Sequence, residues 1–253
     1  MRVQKIGVFI SHIFGEYQSG VCQGIIDKAG EYGFYVDIFC TTDGENLGDY
    51  GQGEKSILRI PNLSEYAGII FASNTYPLAE LKEEIREALS TQCHCPVVEI
   101  AQSSDRFPTI ELDNLSPVYE LTEHLIREHH YSRIAYLGNS LEPQYSDVRL
   151  AHYKKALEDS HIPFREEYCI CTDYQDASIA AALEKLLDLP EKPQVIVCYN
   201  DQMALIAMML LQQAGMKIPE DIALTGCDHL KMGQENTPSL TSISFPTYEL
   251  GVS

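Results

Sequence analysis

Several apolar runs in this 253-residue chain end on groups that can hydrogen-bond. "GVFIS" runs toward His12, Phe14 and Tyr17. "IIFAS" ends on Ser73 and Asn74, "VIVCY" on Asn200 and Asp201, and "ALTGC" on Asp228 and His229. The loop leading into the helix-like run from Val148 adds Tyr145, Asp147 and Arg149. In parallel α/β sheets, ligands bind outside the carboxyl ends of the strands, where loops converge. Aromatic faces mixed with a few placed polar groups are the chemistry of small-molecule recognition. Asn200 and Asp201 also have a local use, because both residue types favour the N-cap of a following helix. The expectation is a division of labour in which Asp201 caps the helix and Asn200 faces a ligand.

Other motifs carry less. "GDYGQGEKS" looks like a phosphate-binding loop, but that motif needs Lys directly after its last Gly, and here Glu54 intervenes. Cys93/Cys95 and Cys169/Cys171 are one residue apart, whereas structural zinc sites use a spacing of two to four. In a strand such pairs share one face and suit core packing. His124 and His129 in "EHLIREHH" are not at the i, i+4 spacing of a helical metal pair. No nucleophile elbow or positioned Cys/His or Ser/His pair is present. The expectation is therefore no metal, no cofactor and no catalytic residue.

The candidate groups need a scaffold, and the pattern around them supplies one. Strand-like runs ("KIGVFIS", "FYVDIFCT", "YAGIIFAS", "CPVVEIA", "RIAYLG", "YCICT", "PQVIVCYN", "DIALTGC") alternate with helix-like runs. The latter are "SGVCQGIIDKAGEYG" and residues 78–89, 117–128, 148–159, 177–187 and 201–214. This alternation predicts an α/β fold with parallel sheets, and wholly apolar strands suit sheets covered on both faces. Strand, polar loop, helix and strand from Ile6 to Phe39 recur from Ile134 to Cys171, which predicts two doubly wound lobes. Crossings are expected in "QSSDRFPTIELDN" and near "ENTPSLTSISFP". The expected lobes are residues 1–104 with 243–253, and residues 105–242.

Bulk properties narrow the function. The 37 acidic and 18 basic residues give a formal net charge of −19, a surface that repels phosphate backbones and anionic lipid. Nucleic acid is not an expected partner of this fragment itself, and neither is a membrane. Mean hydropathy is −0.15, and no run approaches the roughly 20 apolar residues of a membrane span. No secretory signal is read at the start, and the eight cysteines sit mostly in apolar runs, as reduced thiols do. A cytoplasmic location is expected.

Four stretches carry a resemblance: "IELDNLSPVYELTEHLIREHHYSRIAYLG", "SDVRLAHYKKALEDSHIP", "VIVCYNDQMALIAMMLLQQAGMKIPEDIALTGCDH" and "TPSLTSISFPTYELG". The chain resembles the effector-binding domain of LacI-type transcriptional regulators, itself similar to periplasmic sugar-binding proteins. The resemblance implies two hinged lobes around a small-molecule cleft, a homodimer, and an output domain outside this chain. Position by position, Asn200 and Asp228 resemble the family's ligand-contacting Asn and Asp. Arg149 resembles its effector-clamping Arg, and Tyr17 an aromatic residue that stacks on sugar. Ala101-Gln102, Phe245 and Gly15-Glu16 depart from the family's polar handles. The implied effector is then a modified sugar, nucleoside or other small polar metabolite. Two other readings stand beside this one, an extracytoplasmic solute-binding protein of a transporter and an enzyme on a doubly wound fold.

Overall fold

A computed structural model describes residues 4–42, 53, 55–76, 78–101, 104–110, 116–141 and 143–253, without the side chains of Ser116 and residues 143–145. Most of the "GDYGQGEKS" stretch, part of the first expected crossing, and Gln102 lie outside the described residues. The chain divides into two compact units, Met1–Leu112 with Pro246–Ser253, and Asp113–Phe245.

The N-terminal unit holds strands β1 (Lys5–Ser11), β2 (Tyr35–Thr41), β3 (Gly68–Phe71), β4 (Val97–Ile100) and β5 (Thr109–Ile110), all parallel, in the order β2-β1-β3-β4-β5. The C-terminal unit holds β6 (Ile134–Asn139), β7 (Cys169–Thr172), β8 (Val195–Cys198), β9 (Ala223–Cys227) and β10 (Thr241–Ile243), also parallel, in the order β7-β6-β8-β9-β10. The two orders are the same, as the internal recurrence in the sequence predicts. Each unit is a doubly wound α/β sheet, and each reverses its strand order between its first and third strands.

Alternation along the strands explains the uninterrupted apolar runs. In β1, Phe9 joins a core with Phe71, Leu81, Ile85 and Leu89, while Val8 and Ile10 join another with Val21, Cys22 and Ile25. In β6, Ala135 and Leu137 face one core while Ile134 and Tyr136 face the other. A strand buried on both faces has no solvent side on which to place polar residues.

The helices are α1 (Glu16–Glu31), α2 (Ala79–Gln92), α3 (Ser116–Arg127), α4 (Pro143–Asp159), α5 (Asp176–Leu187), α6 (Asp201–Gln213), α7 (Lys231–Glu235) and α8 (Thr247–Val252). Helix α6 buries Met203, Ala204, Ala207, Met208 and Leu211, a single face at helical spacing. Gly215 ends its exit turn with φ +83°, in the left-handed region that glycine enters without cost. Helix α8 completes the N-terminal unit by packing on α1. A Cβ on Gly24 would fall 2.2 Å from the Tyr248 carbonyl oxygen, and one on Gly251 would fall 2.2 Å from that of Val21. The two backbones touch because neither side carries a side chain there.

Three features differ from the sequence reading. Helix α4 begins at Pro143 rather than Val148, so Tyr145 and Asp147 lie on the same helix as Arg149 and not in a loop before it. Proline suits the first helical position, where its missing N–H costs nothing. The short strands β5 and β10 were not predicted, because two or three residues show no periodicity. Nor was α7, which has only five residues.

Candidate functional site

In an open α/β sheet the crevice for ligand opens at the carboxyl ends of the strands where the order reverses. In the C-terminal unit that point lies between β6 and β8, and the structure gathers polar side chains there. Asn139 closes β6 and is fully buried. Its side-chain amide donates to the Tyr174 hydroxyl at 3.0 Å, and the amide of Asn200 donates to the same oxygen at 3.1 Å. Tyr174 follows β7 and Asn200 follows β8, so three adjacent strands contribute one residue each. The two amides occupy both acceptor lone pairs of the phenol oxygen. The N–H of Leu141 donates to Asn139 Oδ1 at 2.9 Å, which fixes which way that carboxamide points.

Arg149, on α4, stands beside this group. Its guanidinium donates to the Tyr199 carbonyl and lies 4.4 Å over the Tyr199 ring, a cation–π contact at the tip of β8. Burial works against its charge, but Cys227, Tyr199 and Asp228 outweigh that and hold its pKa above the usual arginine value. Asp228 follows β9 with φ +112°, and His229 follows with φ +53°. Two successive non-glycine residues in the left-handed region constitute real backbone strain. Neighbouring residues of the same unit hold them in place. The Asp228 N–H donates to the Ile243 carbonyl at 2.9 Å, and the His229 N–H to Ser242 Oγ at 3.0 Å. The Leu230 N–H donates to Asp201 Oδ2 at 2.7 Å.

These bonds correct the division expected at Asn200-Asp201. Asn200, not Asp201, is the N-cap of α6, with its side-chain oxygen accepting from the Met203 N–H at 3.0 Å. Asp201 is the first helical residue and is fully buried. It cannot cap the helix because its carboxylate is turned away to the Leu230 N–H and the Ser242 hydroxyl. A Cβ on Gly226 would fall 2.2 Å from Asp201 Oδ1, so β9 needs glycine at the point where this carboxylate passes.

The other residues predicted for the site are placed less uniformly. Tyr145 lies in the first turn of α4, and its side chain is outside what the structure describes. Asp147 is exposed and two positions from Arg149, a spacing that puts the two on different sides of a helix. In the N-terminal unit the order reverses between β1 and β3, where the Ser11 N–H at the end of β1 donates to Thr75 Oγ1 at 2.9 Å and the Asn74 amide, past β3, donates to the hydroxyl of Tyr17 on α1 at 2.6 Å. Asn74 Oδ1 is buried and has no hydrogen-bond partner among the described residues. Such an acceptor is costly to bury and calls for a donor from water or ligand. His12 takes φ +56°, with its Nδ1 2.8 Å from Ser11 Oγ, and Phe14 is 89% exposed.

Two site residues, Asn139 and Tyr174, were missed. Each directly follows an apolar run, in "RIAYLGN" and "YCICTDY", which is the same signal that marked the others. What the sequence lacked was the strand order that makes them neighbours of Asn200.

A model of the periplasmic binding protein-like domain matches residues 122–253, more than half of the chain. The chain belongs to that family. Among relatives of this periplasmic binding protein-like chain, the HTH-type transcriptional repressor CytR of Escherichia coli K12 is 27% identical over 251 residues, covering 98% of this chain and 70% of the repressor. Catabolite control protein A of Priestia megaterium is 27% identical over 253 residues, covering 99% and 72%. Among solved structures, transcription regulator CcpA of Lactococcus lactis superposes with a TM-score of 0.76 at 24% identity, covering 99% of this chain and 88% of that one. The lac repressor dimer bound to operator and the anti-inducer ONPF gives 0.75 at 22%, covering 99% and 83%. These structures show the same fold, and the relatives found are transcriptional regulators. No helix among the described residues is long and apolar enough to cross a membrane.

Proposed function

We propose that this chain is the ligand-sensing part of a LacI-type transcriptional regulator, and that it takes a small polar metabolite at its strand tips. The observation that carries the reading is the Asn139–Tyr174–Asn200 group at the strand-order reversal, with Arg149 beside it. Carboxamides, a phenol and a guanidinium at the carboxyl ends of a parallel sheet can exchange hydrogen bonds with hydroxyls, ring nitrogens or a carboxylate. On this reading the site recognises its ligand, as the likeness to transcriptional regulators favours. In this reading Asn200, Arg149 and Asp228 are polar contacts, and Tyr174 is added to them. Tyr17, Asn74, His12 and Phe14 are the corresponding groups of the N-terminal unit.

The relatives favour a regulator over the solute-binding protein of a transporter. By the same likeness we propose a cytoplasmic homodimer whose DNA-binding output is supplied outside these residues. Ligand would act by favouring one conformation over another, which it can do only through unequal affinity for the two.

The test is a thermal-shift screen of nucleosides, sugars and sugar derivatives, with each variant compared with its own ligand-free melting temperature. Tyr174→Phe removes one hydroxyl and should weaken a true ligand about fivefold, the equivalent of one neutral hydrogen bond. Arg149→Ala should weaken it about a hundredfold where the ligand is charged. Hits that bind both variants as well as the parent protein would refute the site.

A further inference from the structure

We propose that Cys93 and Cys95 form a two-sulfur chelating site for trivalent arsenicals in the N-terminal unit. The two sulfurs are 3.2 Å apart, in hydrogen-bonding contact. Both are partly buried against the core of Phe71, Leu81 and Leu89, while His94 between them is exposed. The backbone fixes them from both sides. The Cys93 N–H donates to the Leu89 carbonyl at 3.1 Å and closes α2. The Pro96 carbonyl accepts from the Ile69 N–H at 3.0 Å and anchors the start of β4 to β3. The dithiol is therefore preorganised, which lowers the entropic cost of binding through both sulfurs at once.

The geometry selects among thiol-seeking ligands. Zinc wants four ligands, and among the described residues no group of three or more His, Cys, Asp or Glu is arranged to hold a metal. A monovalent ion bound linearly needs its two sulfurs on opposite sides, and sulfurs 3.2 Å apart leave no room between them. Trivalent arsenic is pyramidal and takes two adjacent sulfurs on one side, with its third bond to carbon or oxygen. A disulfide would need the sulfurs to close to about 2.05 Å and would need an oxidant. It would also proceed through a thiolate. Burial, with the contact to Cys93, pushes the Cys95 thiol up to about 12, so the thiolate is scarce at neutral pH.

Arsenical binding needs neither oxidant nor net ionisation. An organoarsenic oxide, R–As=O, condenses with two thiols to give R–As(S–Cys)2 and one water. Two As–S bonds form and two S–H bonds break. The arsenic-bound oxygen leaves as water with the two thiol protons, and arsenic stays trivalent throughout.

The experiment uses the full chain, phenylarsine oxide in equimolar amount, and intact-protein mass spectrometry, with circular dichroism as a check on folding. One adduct is expected. It should survive excess 2-mercaptoethanol and be removed by 2,3-dimercaptopropanol, as a chelate is. It should be lost with Cys93→Ser and with Cys95→Ser, and kept in the double variant Cys169→Ser, Cys171→Ser. Losing one sulfur forfeits the effective concentration of the second and should cost on the order of a hundredfold in affinity. If a serine variant fails to fold, Cys93→Ala or Cys95→Ala repeats the measurement with an apolar side chain. No adduct on the parent protein, or an adduct that persists without Cys93 or Cys95, would overturn the proposal.

Discussion

Asn200 and Asp201 are adjacent in sequence yet bond in different directions. Asn200 caps α6 with its oxygen and reaches Tyr174 with its nitrogen. Asn200→Ala should cost about 1 kcal/mol from the lost cap. Asp201→Ala should cost more, on the order of 3 kcal/mol, because the part-buried Leu230 N–H and Ser242 hydroxyl both lose the carboxylate as acceptor. Urea unfolding of both variants would check that order. Glu99, also fully buried, behaves in the opposite way to Asp201. Burial dominates at Asp201 and holds its carboxyl above the usual aspartate value, despite the bonds from Ser242 and Leu230. Its contribution to stability is thus full at acid pH and is lost as pH rises through that folded value. At Glu99 burial also pushes upward, but hydrogen bonds from Arg86, Ser73 and Ser104 prevail and hold it below the usual glutamate value. Its contribution is present above the unfolded value and lost as pH falls through the folded one. Glu99→Gln should therefore lower stability by on the order of 3 kcal/mol near neutral pH and flatten the acid limb below the usual glutamate value. A pH series of chemical unfolding would show it, and an unchanged acid limb would count against the Arg86 pairing.

The elements were placed by the sequence to within a few residues where they were long and periodic, as in α2 and α6. They were missed where a strand had two or three residues, because pairing rather than pattern creates an edge strand such as β10. The α1–α8 contact shows what pattern cannot encode. Gly24 reads as an ordinary interruption of an amphipathic helix, yet the Tyr248 carbonyl lies where its Cβ would be. Gly24→Ala should destabilise the N-terminal unit by about 1–3 kcal/mol, since a backbone must shift to admit one methyl. The measurement is urea unfolding of the full chain beside Gly30→Ala, where no atom lies within 4 Å of the added carbon. Equal losses at the two positions would contradict the close approach.

At the scale of the molecule, each unit has its own sheet with a core on either side. The C-terminal unit is continuous in sequence, so residues 113–245 should fold alone, whereas the N-terminal unit draws on both ends of the chain. Cooperative thermal unfolding of that fragment would bear this out, and a molten fragment would not. The sequence by itself determined the fold class, the internal recurrence and the polar strand tips. Those depend on local spacing and on apolar runs that only a doubly covered sheet can bury. Tertiary structure decided what each polar group does. Arg149 and Tyr199 are 50 positions apart, and Tyr174 and Asn200 are 26 apart. A hydrogen bond over such a separation depends on which strands lie side by side, and strand order is a property of the folded sheet that no local pattern carries.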